Sequence, residues 1–282
     1  MAAATITTMP DAEWLDDLYA RYHDRRFIHD DPLGFLHDYP DLADREIVGL
    51  IASSLAYGNV KAMRPAIRSV LDALGSAPAA ALHALPDRAI RARFRSFRYR
   101  VTPGAKLAGL LIAVKRVRTA SGSLDDCLAM HLSADDDTIL PGLAGLIDAM
   151  HDAAPCPLDH LLPHPARGSA CKRLLLYLRW MIRCDAVDPG GWRSAHTRQL
   201  IMPIDTHVHR AALERGWTRR ATADLKTAIE VTGHLRAIAP DDPLRYDFAI
   251  TRPGIRREAE GGLMPSSGPI PSENPRSVIL MR

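Results

Sequence analysis

Two oppositely charged residues stand where the chain begins new helices, and their types suit an attack on carbon. Lys172 follows the proline-bracketed turn Leu162-Pro163-His164-Pro165-Ala166-Arg167-Gly168-Ser169. The apolar run after it, Ala170 to Met181, predicts a helix. Ser169 is placed to cap that helix, which puts Lys172 in its first turn. There the partial positive charge of the helix start disfavours an ammonium, and the Leu- and Trp-rich surroundings would desolvate it. The free amine, the form that attacks carbon, is favoured. Asp205 lies in Pro203-Ile204-Asp205-Thr206-His207-Val208-His209-Arg210 and precedes apolar positions at Val208, Ala211, Ala212 and Leu213, so it reads as an N-cap. An anion beside an amine can take its proton or steady a developing positive charge. Each residue also has a plainer reading: a first-turn lysine is commonly a solvated charge, and an aspartate before a helix commonly only caps it.

The order of these features resembles the helix-hairpin-helix DNA glycosylase superfamily: a hairpin-like turn, a lysine on the helix after it, then Pro-Ile-Asp-Thr-His-Val-x-Arg at a later helix start. In detail the chain is more similar to a mainly bacterial family of conserved hypothetical proteins, itself similar to the archaeal 8-oxoguanine DNA glycosylases. The likeness runs from about Asp31 to Gly254 and is most specific over Gly168 to Trp180 and Pro203 to Arg210. It implies that Lys172 is the catalytic lysine and Asp205 the catalytic aspartate, and their long separation fits the archaeal branch. It further implies DNA contacts from Arg167, Gly168 and Ser169 of the hairpin, and from Tyr57 and Asn59 in the turn after an earlier helix. The superfamily's usual hairpin is Leu-Pro-Gly-x-Gly, whose glycines let backbone N–H groups close on a phosphate, whereas this one has prolines and a single Gly168. Tyr57-Gly58-Asn59 is also an ordinary turn signal.

The elements that must position these residues are helical. Of the composition, 47% is hydrophobic, mostly aliphatic and alanine, and only 6% aromatic, with few alternating Val/Ile/Thr stretches of the kind a sheet needs. An all-α fold of helix-hairpin-helix glycosylase type, without an iron-sulfur cluster, is expected. Its 282 residues suffice for one large helical domain or two lobes sharing a cleft. We expect residues 1–257 to form a single domain in two lobes and 258–282, rich in Gly, Pro and Ser, to be a disordered tail. Periodicity predicts helices over 11–25, from Asp31-Pro32, over 45–56 with Asp44 as cap, 60–74, 106–117, 124–132, 140–150, 225–238, and 244–250 closing near Pro253-Gly254. The loop 185–192 either edges a pocket with Trp192 or anchors that tryptophan in the core.

Net charge is +3 and the isoelectric point about 8.7, which permits nucleic-acid binding without requiring it. More telling is the segment holding Arg88, Arg91, Arg93, Arg95, Arg98, Arg100, Lys106, Lys115, Arg116 and Arg118 with Asp87 its one acid. It can follow a phosphate backbone or be a solvated helix face. The four cysteines, Cys127, Cys156, Cys171 and Cys184, lack Cys-x-x-Cys spacing, and reduced thiols in a cytoplasmic protein are expected. His207 and His209 fall on different faces of a helix, so no metal site is expected. No apolar run approaches membrane-spanning length, and a monomer is expected. The function expected from the resemblance is excision of a damaged base from DNA, 8-oxoguanine leading, by Lys172 through a Schiff base with strand cleavage. Neither step needs a cofactor. One alternative is a non-catalytic, glycosylase-like nucleic-acid binder; another is an enzyme using the same lysine on a different carbonyl or sugar substrate.

Overall fold

The computed structural model describes residues 9–259. In chain order the elements are α1 (Asp11–Tyr22), a 3-10 turn (Pro32–Asp38), α2 (Leu42–Ser54), α3 (Val60–Leu74), α4 (Pro78–Ala84), α5 (Asp87–Arg93), the strands β1 (Arg98–Tyr99) and β2 (Thr102–Pro103), α6 (Gly104–Ser121), α7 (Leu124–Ala129) and α8 (Leu140–Ala153). After a long connection come α9 (Lys172–Ile182), α10 (Thr206–Glu214), α11 (Leu225–Ile238) and α12 (Asp247–Ala259). The protein is mostly helical, as its composition leads one to expect.

Local chemistry explains most boundaries. Asn59 accepts a hydrogen bond from Lys61 N and so caps α3, and Gly75 closes it with a left-handed φ of 80°. Asp224 caps α11 by accepting from Thr227 N. Four expectations shift. The cap of α2 is Asp41, which accepts from Asp44 N; the Asp44 carboxylate instead accepts from Ala79 N at 2.7 Å and tethers α4. Ser169 does not cap α9: that helix begins at Lys172, behind a Cys171 held at φ 48° with no side-chain cap. Gly168, at φ 76°, and Cys171 both turn left-handed, so the chain cannot become helical as early as Ala170. Ser169 Oγ accepts from Cys171 N at 3.3 Å and braces the turn. Finally, α12 starts later than expected, at Asp247, and runs through Pro253 rather than ending there. A proline forfeits one helical hydrogen bond, and packing of α12 against α1 and α10 holds the helix across the gap. The expected tail falls, from residue 260 on, outside the described residues.

The β1–β2 hairpin has no counterpart in the sequence reading. It pairs Arg98 with Pro103 and Tyr99 with Thr102, too short a ladder to show alternation. It also divides the basic segment among α5, the hairpin and α6. Within that segment Lys115 Nζ donates to Leu85 O, Arg116 to Ala153 O and Asp87, and Arg118 to Ala43 O. These three cations are committed to internal contacts and form no continuous phosphate track with the rest.

Packing falls into three groups: α5, α7 and α8 around α6, α1 and α10 around α12, and α9, α4 and the 3-10 turn around α2. They share one continuous apolar cluster rather than separate cores. Helix α2 crosses α9 closely because Gly49 has no side chain: a Cβ there would lie 3.0 Å from the Tyr177 ring. Tyr177 Oη donates to Glu46 O at 3.1 Å. Trp192 is a core anchor: it meets Tyr177 edge to face, and its Nε1 donates to Glu46 Oε1 at 3.1 Å. The buried Glu46 carboxylate also accepts from Leu124 N and Asp125 N, and burial pushes its carboxyl above the ordinary range against those bonds and Arg118.

Candidate functional site

Lys172 opens α9 and Asp205 caps α10, and the fold brings them together with Lys172 Nζ 3.8 Å from Asp205 Oδ2. The two carboxylate oxygens have separate partners. Oδ1 accepts from His207 N at 2.9 Å and Val208 N at 2.8 Å, which leaves Oδ2 for the amine. The Lys172 side chain is 37% exposed and that of Asp205 17%, so the pair sits at an opening rather than in the core.

Both residues line a cleft of about 180 Å³. A cavity of roughly 150 Å³ accepts benzene, so the enclosed part is on the scale of one aromatic ring, and a bicyclic purine would extend into the mouth. One wall is a single face of α9, on which Lys172, Leu176, Arg179 and Trp180 recur at helical spacing. The facing wall comes from α12 through Asp247, Phe248, Thr251 and Arg252. Ala56, Gly58, Val60 and Met63, around the α2–α3 turn, supply an apolar side. The remaining edge holds Asp31, whose Oδ1 caps the 3-10 turn while Oδ2 accepts from Arg252 at 2.9 Å. A larger concavity of about 460 Å³ lies between α2, α4 and α6. Its cations Lys115 and Arg118 are already bound to backbone carbonyls, and Lys115 pairs at 3.7 Å with Asp87, a carboxylate that does not itself line this concavity.

Beneath the cleft runs a buried ionic chain that the sequence reading missed. Arg179 donates to Asp247 Oδ2 and, at 3.1 Å, to Asp188 Oδ1. Arg183 then joins Asp188 Oδ2 at 2.5 Å to Asp242 and Asp185, both within 3.0 Å. Burial raises the Asp247 carboxyl above its ordinary range against the pull of Arg179, and the nearby Asp205 charge adds to the rise. Arg179, flanked by two carboxylates, keeps its proton despite full burial. One signal was available: Arg179 interrupts the apolar run Leu174 to Ile182 on the Lys172 face of α9, where a guanidinium needs a buried anion.

Other expected contacts are placed as follows. Arg167 is exposed and pairs with Asp159, Gly168 supplies the left-handed turn, and Ser169 braces it. None of the three lines the cleft, though all lead directly into the first turn of α9. Asn59 caps α3, and the Tyr57 hydroxyl bonds to Tyr99 O and Thr102 Oγ1; Gly58, between them, is the residue of this turn that lines the cleft. Arg173 lies over the Tyr57 ring, 5.1 Å from its centroid, and donates to Ser54 O and His160 O, so it ties this turn to α9. Cys171 is no rival nucleophile: burial pushes its thiol up to about 11.

A family described as a protein of unknown function (DUF2400) matches residues 31–256, well over half of the chain. The chain belongs to this family. The DUF2400 match contains Lys172, Asp205 and every cleft residue except Asp30. No curated protein and no solved structure matches the chain. Among the described residues of this DUF2400 member no group of three His, Cys, Asp or Glu side chains converges as a metal site. Among them, too, no helix is long and apolar enough to cross a membrane.

Proposed function

We propose that this DUF2400 protein is a DNA glycosylase with AP lyase activity, and that its substrate is DNA carrying a damaged base, 8-oxoguanine leading. The observation that carries the reading is the Lys172 amine 3.8 Å from a carboxylate whose other oxygen is fixed by an N-cap, at the mouth of a ring-sized cleft. Chemistry on a stacked base requires that the nucleotide be turned out of the duplex into such a cleft. Asp205 takes a proton from the Lys172 ammonium, and the amine attacks the anomeric carbon. The glycosidic bond breaks, and the base leaves with the bonding electrons and the proton that Asp205 passes on, which restores the carboxylate. Asp205 offsets the positive charge that develops on the sugar. Ring opening, with O4′ taking the proton left on the lysine nitrogen, then gives a Schiff base between Lys172 and the sugar, and loss of a C2′ proton to water expels the 3′ phosphate by β-elimination.

Borohydride reduces such an imine to a stable amine, so the test is trapping on duplexes bearing single lesions. A covalent protein–DNA product with the wild type, absent in Lys172→Gln, is expected. Absence of any trapped product or released base across a panel of oxidised, deaminated and alkylated bases removes the enzyme reading. The second reading is a non-catalytic binder, motivated by a hairpin with a single left-handed glycine and with Arg167 paired to Asp159. Tight DNA binding unchanged in Asp205→Asn, with no base released, favours it.

A further inference from the structure

The β1–β2 hairpin carries three features that folding alone does not explain. Val101, at its tip, is 68% exposed, the most exposed of the large hydrophobic side chains among the described residues. Arg100, beside it, holds a φ of 50°, a conformation in which a primed hairpin turn ordinarily places glycine. Arg98 and Arg100 are both exposed, and neither has a carboxylate partner within ion-pair distance among the ion pairs of the described residues. A strained, basic, apolar-tipped turn costs stability and solubility, and it persists where something outside the chain covers it.

The hairpin is also docked on the turn beside the cleft. Tyr99 Oη donates to Tyr57 O, Tyr57 Oη donates to Tyr99 O at 3.1 Å, and Tyr57 Oη exchanges a hydrogen bond with Thr102 Oγ1 at 2.7 Å. The Arg100 side chain lies across Gly58, where a Cβ would fall 2.9 Å from Arg100 Cδ. Gly58 itself lines the cleft that holds Lys172 and Asp205. The tip is therefore fixed relative to the nucleophile.

We infer that the hairpin 98–103 is a second contact surface for duplex DNA, with Arg98 and Arg100 on backbone phosphates and Val101 against the sugar and base edges of the same duplex. Charge complementarity selects the occupant: two guanidiniums flanking an apolar side chain match a polyanion whose grooves expose apolar edges between phosphates. The inference rests on the DNA reading of the cleft and extends it to a surface outside the cleft.

The test is equilibrium binding of a lesion-bearing duplex over a salt series, using the full chain. Two variants are compared with the wild type: Val101→Asp and the double variant Arg98→Ala/Arg100→Ala. Neutralising two phosphate contacts contributes about 1.8 to the slope of log affinity against log salt, so the double variant should lose about that much. Val101→Asp should bind about tenfold more weakly at a fixed salt concentration. Thermal unfolding at the wild-type midpoint confirms that the variants are folded. Unchanged slope and affinity in both hairpin variants, with base release by the wild type intact, overturns the hairpin assignment alone. A wild type that neither binds nor cleaves any duplex overturns the cleft reading and the hairpin assignment with it. Tighter hairpin-dependent binding to single-stranded RNA or to an acidic polypeptide overturns the choice of duplex DNA.

Discussion

Asp205 does two things with one carboxylate, and substitution can separate them. Asparagine caps a helix about as well as aspartate but carries no charge for Oδ2 to present to Lys172. Asp205→Asn should therefore unfold within about 0.5 kcal/mol of the wild type in urea while slowing imine trapping on the order of 100-fold, the lower range for general base catalysis. Asp205→Ala loses the cap as well and should cost about 1 kcal/mol more. Equal trapping rates in the wild type and the asparagine variant would sink the role given to the carboxylate. Asp185 offers a test by pH. Burial opposes its charge, but the His23 imidazole, the Arg183 guanidinium and the N–H groups of Val187 and Asp188 together hold its carboxyl well below the usual range. A depressed folded value stabilises the native state above the unfolded value of about 4, and that stabilisation is lost as pH falls through the folded value. The urea midpoint should thus drop as pH falls below about 5, and Asp185→Asn should flatten that drop.

At the scale of elements, the hairpin and the ionic chain make opposite predictions. Glycine at position 100 relieves the left-handed strain, worth on the order of 1 kcal/mol, so Arg100→Gly should raise the unfolding midpoint by roughly 2 °C for a chain of this size. The same change should weaken DNA binding. A lower midpoint would show that the Arg100 stem across Gly58 stabilises the turn more than its φ costs. The Asp247–Arg179 pair joins α12 to α9 with both side chains almost fully buried. Asp247→Ala leaves a guanidinium in the core with half its partners, and should cost roughly 3–5 kcal/mol in denaturant unfolding. Lys172→Gln, at a half-buried position on the cleft mouth, should cost far less. Legibility at this scale follows length and composition. The long helices α3 and α11 have the bounds that their periodicity predicts, whereas the six-residue hairpin was invisible. The start of α9 was misplaced because the left-handed φ at Cys171 is not a preference that cysteine advertises.

Across the whole molecule, what the linear chain determined by itself is a mostly helical protein with a lysine in the first turn of one helix and an aspartate at the cap of another. These are local facts, written in capping chemistry and in the period of apolar residues, and they need no knowledge of distant contacts. What the tertiary structure alone decided is that the two ends meet within 3.8 Å at one opening. That depends on how α9, α10 and α12 pack, through the close approach of α12 to His207 at Gly254 and the salt links from Arg179. The same packing drew Arg179, Asp188 and Asp247 into a buried chain and fixed the strained hairpin beside the cleft. A charge in a sequence carries no record of its dielectric, and only the folded neighbours decide whether it faces water, an ion partner or a substrate.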